Sequence, residues 1–352
     1  MDIYYFSVII LMGLAVFDLI VGVSNDAVNF LNSSIGSRVA PRYIIMIIAS
    51  LGMLAGVTFS SGMMEVARKG IFHPKFFLMP ELITIFLAVM LTDVLLLDLF
   101  NTFGMPTSTT VSIVFELLGA AVAVSLIKIY LENGDFATLV DYINTGKALV
   151  IIMGILLSVV IAFFFGVVIQ FISRLVFTFD YVKRLKRYGG IWGGFALSVI
   201  TYFILIKGAK GTSFFSPETV AWVNTHAWTI LSISFLFFAV IFQLLVTFTK
   251  INILKPIVLI GTFALAMAFA ANDLVNFIGV PLAGMSAHNV AMATNDPLRV
   301  TMEALQKPIQ SNTFLLLIAG CIMMVTLWLS RKARTVTETQ INLVSCHSSS
   351  VG

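Results

Sequence analysis

The sequence predicts an all-α polytopic membrane protein, built as an inverted repeat with interrupted helices, and three observations predict it. The first is composition: the 352 residues are 59% hydrophobic and 11% charged, with a mean hydropathy of +1.02. A soluble domain is nearer one-quarter charged, roughly. The second is a series of apolar runs near 3–24, 43–63, 81–103, 106–130, 148–172, 191–206, 226–247, 253–280 and 312–330. Most have the length, about 17–25 residues, that crosses a bilayer. Backbone groups in lipid must be satisfied within the segment, and the alternation of a barrel strand is absent, so these runs are helices. The third is a polar cluster that returns: Asn25, Asp26, Val28 and Asn29 recur as Asn272, Asp273, Val275 and Asn276 at a constant offset of 247.

The elements follow in order. MDIYYFSVIILMGLAVF carries an acid and no basic residue before its apolar run. A cleavable signal has a positive first region, so this segment reads as a first permanent span entering from outside. The runs 81–103 and 106–130 flank an uncharged polar break. The run 191–206 is short and reads as re-entrant or tilted. Four organisational units result: 1–130, a first repeat; 131–252, connecting helices with a basic loop at 174–190; 253–330, a second repeat that stops after one span; and 331–352, a polar tail. With the N-terminus outside, 12 Lys and Arg fall inside and 9 outside. The margin is thin, and Arg68, Lys69 and Lys75 oppose it. The dense group Lys183, Arg184, Lys186 and Arg187 decides it by the positive-inside bias. Basic charge spread over loops fits that bias rather than nucleic-acid binding. Cys321 and Cys346 indicate neither a disulfide nor a metal site.

On a helix, successive residues turn by about 100°. Asn25, Asp26 and Asn29 then lie at roughly 0°, 100° and 40°, one polar stripe, and Asn272, Asp273 and Asn276 repeat it. Ionisable groups in apolar segments are costly and mark function. Carboxylate and carboxamide oxygens are hard ligands, and no Cys or His accompanies them, so sodium or a proton suits the stripes better than a transition metal. Gly22, Ser24, Asn32, Ser33, Ser34 and Gly36 surround the first stripe, and Gly279, Pro281 and Gly284 follow the second. Small and helix-breaking residues at membrane depth predict interrupted helices lining a cavity. Polar packing between helices is the structural alternative, which two matched stripes disfavour.

The break NTFGMPTSTTVS, 101–112, has no charged residue. Gly104 and Pro106 end one helix and begin another. Thr107, Ser108, Thr109 and Thr110 crowd the second helix's N-terminus, where open amides and the dipole favour an anion. Simple capping needs only one of those hydroxyls. Discontinuous helices in secondary transporters aim their N-termini at anionic substrates. Asp18, Asp93, Asp98 and Glu116 also fall in apolar runs, with no counterpart in the second copy; helix packing is the expected role, and a proton or cation relay is the alternative. His73 and His288 read as loop residues.

With these residues laid out, the chain resembles the inorganic phosphate transporter (PiT) family of sodium- or proton-coupled symporters. The family's duplicated Gly-x-Asn-Asp-x-x-Asn signature matches Gly22–Asn29 loosely and Ala270–Asn276 well. Its Gly-x-Pro-x-Ser-Thr-Thr segment matches Gly104–Thr110 closely. The likeness covers roughly 15–125 and 260–285. By that resemblance Asp26, Asn29, Asp273 and Asn276 would hold the cation, sodium being assigned to Asp26 and Asp273. Ser108, Thr109 and Thr110, with Asn25 and Asn272, would hold phosphate. Ser24 and Ala271 stand where the family has glycine before Asn-Asp, and Val111 where a histidine often follows. A second Gly-x-Pro-x-Ser-Thr-Thr is absent, since the equivalent of Ser108 would fall near 355, and the tail from Ser330 is too polar to cross a bilayer. A shortened and inactive form is the expectation that follows.

The implied activity is cation-coupled symport of inorganic phosphate across the cell (inner) membrane, without a cofactor other than the co-transported sodium ion or proton. Proton-coupled sulfate import and a passive anion channel are the alternatives. An intramembrane enzyme with paired aspartates fits less well, because no nucleophile accompanies them. The partners are phosphate, the cation and lipid, with a homo-oligomer left open.

Overall fold

The computed structural model describes residues 2–58, 70–132, 134–178, 181–211, 216–249, 251–306 and 313–349. Among these the main elements are α1 (Asp2–Gly36), α2 (Arg42–Thr58), α3 (Met79–Thr102), α4 (Thr109–Glu132), α5 (Thr145–Phe177), α6 (Tyr181–Gly211), α7 (Ala227–Phe248), α8 (Leu254–Met292), α9 (Thr313–Leu329) and α10 (Arg331–Ser349). The described residues form no named strand; isolated bridges join Phe72 to Ile143 and Leu78 to Thr301. Seven of the helices are long and apolar enough to cross a membrane, and α9 with α10 makes an eighth if that pair, bent by 64°, counts as one span. This is a multi-pass membrane protein.

The two long helices α1 and α8 cross at the centre. Two apolar clusters flank the crossing: one draws on α1, α2, α8 and α9, the other on α1, α3, α4 and α8 with the loop around Phe72 and Phe77. α2 lies close on α8 because Gly52 and Gly56 face it, and a Cβ at either glycine would run into the α8 backbone at Phe263 or Met267. Small residues spaced by four are how membrane helices approach without a hydrophobic drive. A hydroxyl pair, Ser34 with Thr262, ties α1 to α8 in the buried interior. α6 and α7 pair around a third cluster, Leu185, Leu197, Phe242, Val246 and Ile253. α5 buries almost nothing but Ala148, which suits a helix wetted by lipid.

Several expectations are corrected. The stripe helices are continuous, not interrupted: α1 runs unbroken through Gly22 and Asn25, and α8 carries Pro281 inside it. The real interruption lies between α3 and α4. The short 191–206 run is part of the 31-residue α6, which also absorbs Lys183–Arg187, and Arg174 sits in the last turn of α5. The basic 174–190 segment is therefore mostly helical. His288 is buried in α8, where its ring contacts Tyr5; His73 does lie outside a regular helix, at the N-cap of a short 3₁₀ turn. Residues 59–63 of the expected 43–63 span, and Arg68 and Lys69, lie outside the described residues. The polar tail is helical: Ser330 caps α10 by accepting from the Ala333 amide at 3.1 Å, and Ala333, Val336 and Thr337 are buried against the bundle. That spacing of three and four is one helical face.

Candidate functional site

The site is built where α1, α8 and the α3–α4 break meet. Gly104 makes the break possible by taking φ +66, a left-handed conformation that glycine adopts without a Cβ penalty. The side of Gly104 is closely approached by Thr335 and Thr339 of α10. α10 is anchored there by the Lys332 ammonium, 2.6 Å from Asp98 and 3.1 Å from the Thr102 hydroxyl. Ser24 of α1 and Ser330 at the start of α10 share a hydroxyl–hydroxyl bond of 2.7 Å.

Asn25 holds the break. Its carboxamide nitrogen donates to Asn101 Oδ1 at 2.9 Å and to the Met105 carbonyl at 3.0 Å, while its oxygen accepts from the Thr107 amide at 2.7 Å. Asn101 in turn donates to the Val21 carbonyl at 2.7 Å. Both Asn25 donor protons are thus spent on protein, and the residue is fully buried. The structure places Asn25 as the clamp of the loop rather than as a group facing an open site. A buried carboxamide with all of its donors satisfied is what such a position demands.

The two stripes then converge on the first two residues of α4. Thr109 donates its hydroxyl to Asp26 Oδ2 at 2.8 Å, and Asn29 donates to Asp26 Oδ1 at 3.1 Å. Thr110 donates to Asp273 Oδ1 at 3.3 Å, and Asn276 donates to the same Oδ1 at 3.2 Å and to the Thr110 oxygen at 2.9 Å. Each aspartate therefore takes one bond from the asparagine three residues on and one from a threonine of the helix end. Asp26 and Thr109 are buried, Asp273 and Asn276 half-buried, and Asn29, Ser108 and Thr110 exposed. Asn272 is half-buried beside Asp273 and has polar contacts of its own.

Ser108 is the N-cap of α4: its oxygen accepts from the Val111 amide at 3.3 Å. Its hydroxyl proton stays available to an acceptor in front of the helix. The Thr109 and Thr110 amides have no acceptor among the described residues. Two open amides, the positive end of a 24-residue helix and the exposed Ser108 hydroxyl are the features that could hold an anion. The oxygens of Asp26 and Asp273 stand beside it, as hard ligands for a small cation. Among the described residues no arginine or lysine is bonded to Asp26, Thr109 or Thr110, so dipoles there would meet part of the charge on an anion.

The packing roles expected for the remaining acids divide. Asp98 points to α10 and pairs with Lys332. Asp18 and Asp93 are fully buried, and Glu116 accepts from Ser112 at 2.9 Å. Their gathering between α1, α3 and α4 went unread in the sequence, where only their apolar surroundings signalled it.

A polytopic helical bundle with two acid–amide stripes facing one discontinuous helix end defines the class: a helical membrane protein with the architecture of a transporter. The Phosphate transporter family model matches residues 22–345, and the chain belongs to that family, which is one of transporters and not of enzymes. The match runs into α10, beyond the boundary at 330 drawn from the sequence. A protein of Pyrococcus abyssi named as a phosphate permease is 27% identical over 281 residues, covering 77% of this chain and 64% of its own length. One of Thermococcus kodakarensis, named likewise, is 26% identical over 275 residues with the same coverage. The chain thus spans 64% of the length of these curated relatives. A solved structure titled the sodium-dependent phosphate transporter superposes with a TM-score of 0.69, covering 95% of this chain and 77% of that one at 19% identity. At that identity the likeness is one of fold.

Proposed function

We propose that this chain carries the binding site of a sodium-coupled inorganic phosphate symporter. The observation that supports the reading is the convergence of Asp26 and Asp273, through Thr109 and Thr110, on one helix N-terminus. Sodium enters the stripes and is held by oxygens of Asp26, Asn29, Asp273 and Asn276, partly neutralising the two aspartates. Phosphate then docks against that charge, accepting hydrogen bonds from the Thr109 and Thr110 amides and from the Ser108 hydroxyl. Without the cation, the two carboxylates would repel the anion from the helix end. That ordering is the coupling: each ion raises the affinity of the other. A monovalent phosphate carried with two sodium ions moves one net positive charge inward, worth about 2.3 kcal/mol per 100 mV of membrane potential. The names of the relatives and of the structural neighbour, phosphate permease and sodium-dependent phosphate transporter, support phosphate as the anion and favour sodium over a proton.

The test is equilibrium binding of labelled phosphate to the purified chain in lipid nanodiscs, with sodium or choline as the cation and unlabelled sulfate as competitor. We expect saturable binding that needs sodium and resists sulfate. Saturable binding indifferent to sodium and strengthened by acid would assign the coupling to protons. Displacement by sulfate at equal concentration would make the site a sulfate site, and no saturable binding under any cation would overturn the reading.

A further inference from the structure

Away from the stripes, Asp18 of α1 and Asp93 of α3 face each other inside the bundle, both with no exposed surface. Their four carboxyl oxygens are buried and take no hydrogen bond from the described residues; Asp18 has Asp93 as its polar neighbour, and Asp93 has Asp18 and the Ser112 hydroxyl. The closest hydroxyl, Ser112 beside Asp93, gives its proton to Glu116 Oε1 at 2.9 Å, and the remaining Glu116 oxygen is buried without a partner. Among the described residues the charged groups around the pair are all acids: Glu116 on α4, and Asp26 two turns further along α1. On α8 the nearest stripe acid is Asp273, and on α10 Lys332 is already joined to Asp98.

Two carboxylates accept hydrogen bonds and donate none, so they can contact each other stably only when one of them carries a proton. A sodium ion would ask for about six oxygen ligands, near the lower bound for hard cations, and the pair sits among apolar side chains of the cluster that includes Leu11, Val89 and Ile113. We propose that Asp18 and Asp93 form a proton-binding site, separate from the Asp26–Asp273 stripes, that holds a shared proton inside the bundle. Eight residues separate Asp18 from Asp26, about 12 Å along the helix. At that range the occupancy of one site is felt electrostatically at the other, through a low-dielectric interior. The inference stands on the geometry of this pair and does not depend on phosphate being the anion.

The test is infrared spectroscopy of the full chain in lipid nanodiscs at neutral pH. The wild type should show the carbonyl stretch of a buried protonated carboxyl group, shifted on exchange into D2O. Asp18→Asn and Asp93→Asn should each abolish that band, because an asparagine amide can donate to the remaining carboxylate in place of the shared proton. Glu116→Gln should leave it. Titration with sodium should shift the band without removing it, whereas loss of the band as sodium rises would make the pair a metal site and overturn the proposal. A wild-type spectrum lacking the band, or a band that survives both aspartate substitutions, overturns it too. The wild-type and sodium measurements need no variant, so a substitution that impairs folding does not protect the idea. Phosphate binding by the same sample separates this outcome from the fate of the functional reading.

Discussion

The two stripes share a sequence pattern and an internal hydrogen bond, yet they are finished differently. On α1, Asp26 is sealed under Thr109 and the break loop, and Asn25 beside it is spent on holding that loop. On α8, Asp273 is half-buried and meets Thr110 through a longer bond of 3.3 Å. The lesson is that a repeated motif specifies a local conformation, while the environment is set by what packs on it. Here the α3–α4 break, backed by α10, closes over the first copy and meets the second through Thr110. Of the two aspartates, Asp26 is consequently the enclosed one and Asp273 the more accessible.

The largest test of that contrast is charge removal. Asp26→Asn should weaken sodium-dependent phosphate binding roughly a hundredfold and Asp273→Asn roughly tenfold, the upper and lower ends of about 1.5–3 kcal/mol for an interaction with a charged group. Binding isotherms of both variants decide it, and equal losses would break the asymmetry. Next in size is the clamp. Asn25→Ala strips three hydrogen bonds and leaves the Thr107 amide and Asn101 short of partners, so thermal unfolding should report a loss of about 2–4 kcal/mol. Asn272→Ala, in the half-buried copy, should lose less than half as much; a similar loss would mean that the second stripe is as tightly enclosed as the first. The smallest effect belongs to Ser108→Ala. It removes the cap of α4, worth about 1 kcal/mol of stability, together with one hydroxyl donor to the anion. Phosphate affinity should fall several-fold with sodium affinity unchanged, and unaltered phosphate affinity would reduce Ser108 to a cap alone.

The helices were legible because apolar runs of this length have few other uses, and each expected run contains a helix among the described residues. The stripes were legible because Asn25, Asp26 and Asn29 fall on one side of any helix at this spacing. The break was legible from Gly104 and Pro106, which no helix interior welcomes. What misled was reading Gly279, Pro281 and Gly284 as a second break. Pro281 is accommodated inside α8, and the continuation carries His288 into the core, where a loop was expected. The tail was judged on mean polarity, although Ala333, Val336 and Thr337 already marked a buried face. The Asp18–Asp93 pair was out of reach for a different reason: residues 75 apart in sequence meet only because α1 packs on α3, and no local pattern encodes that pairing.

The Asn25 clamp also has a mechanical meaning. It grips the loop at Asn101, Met105 and Thr107 at once, and Asn101 returns the grip to the α1 backbone at Val21. The loop and the middle of α1 are thereby welded into one lever. Any swing of the α4 end relative to α8 would therefore drag α1 with it.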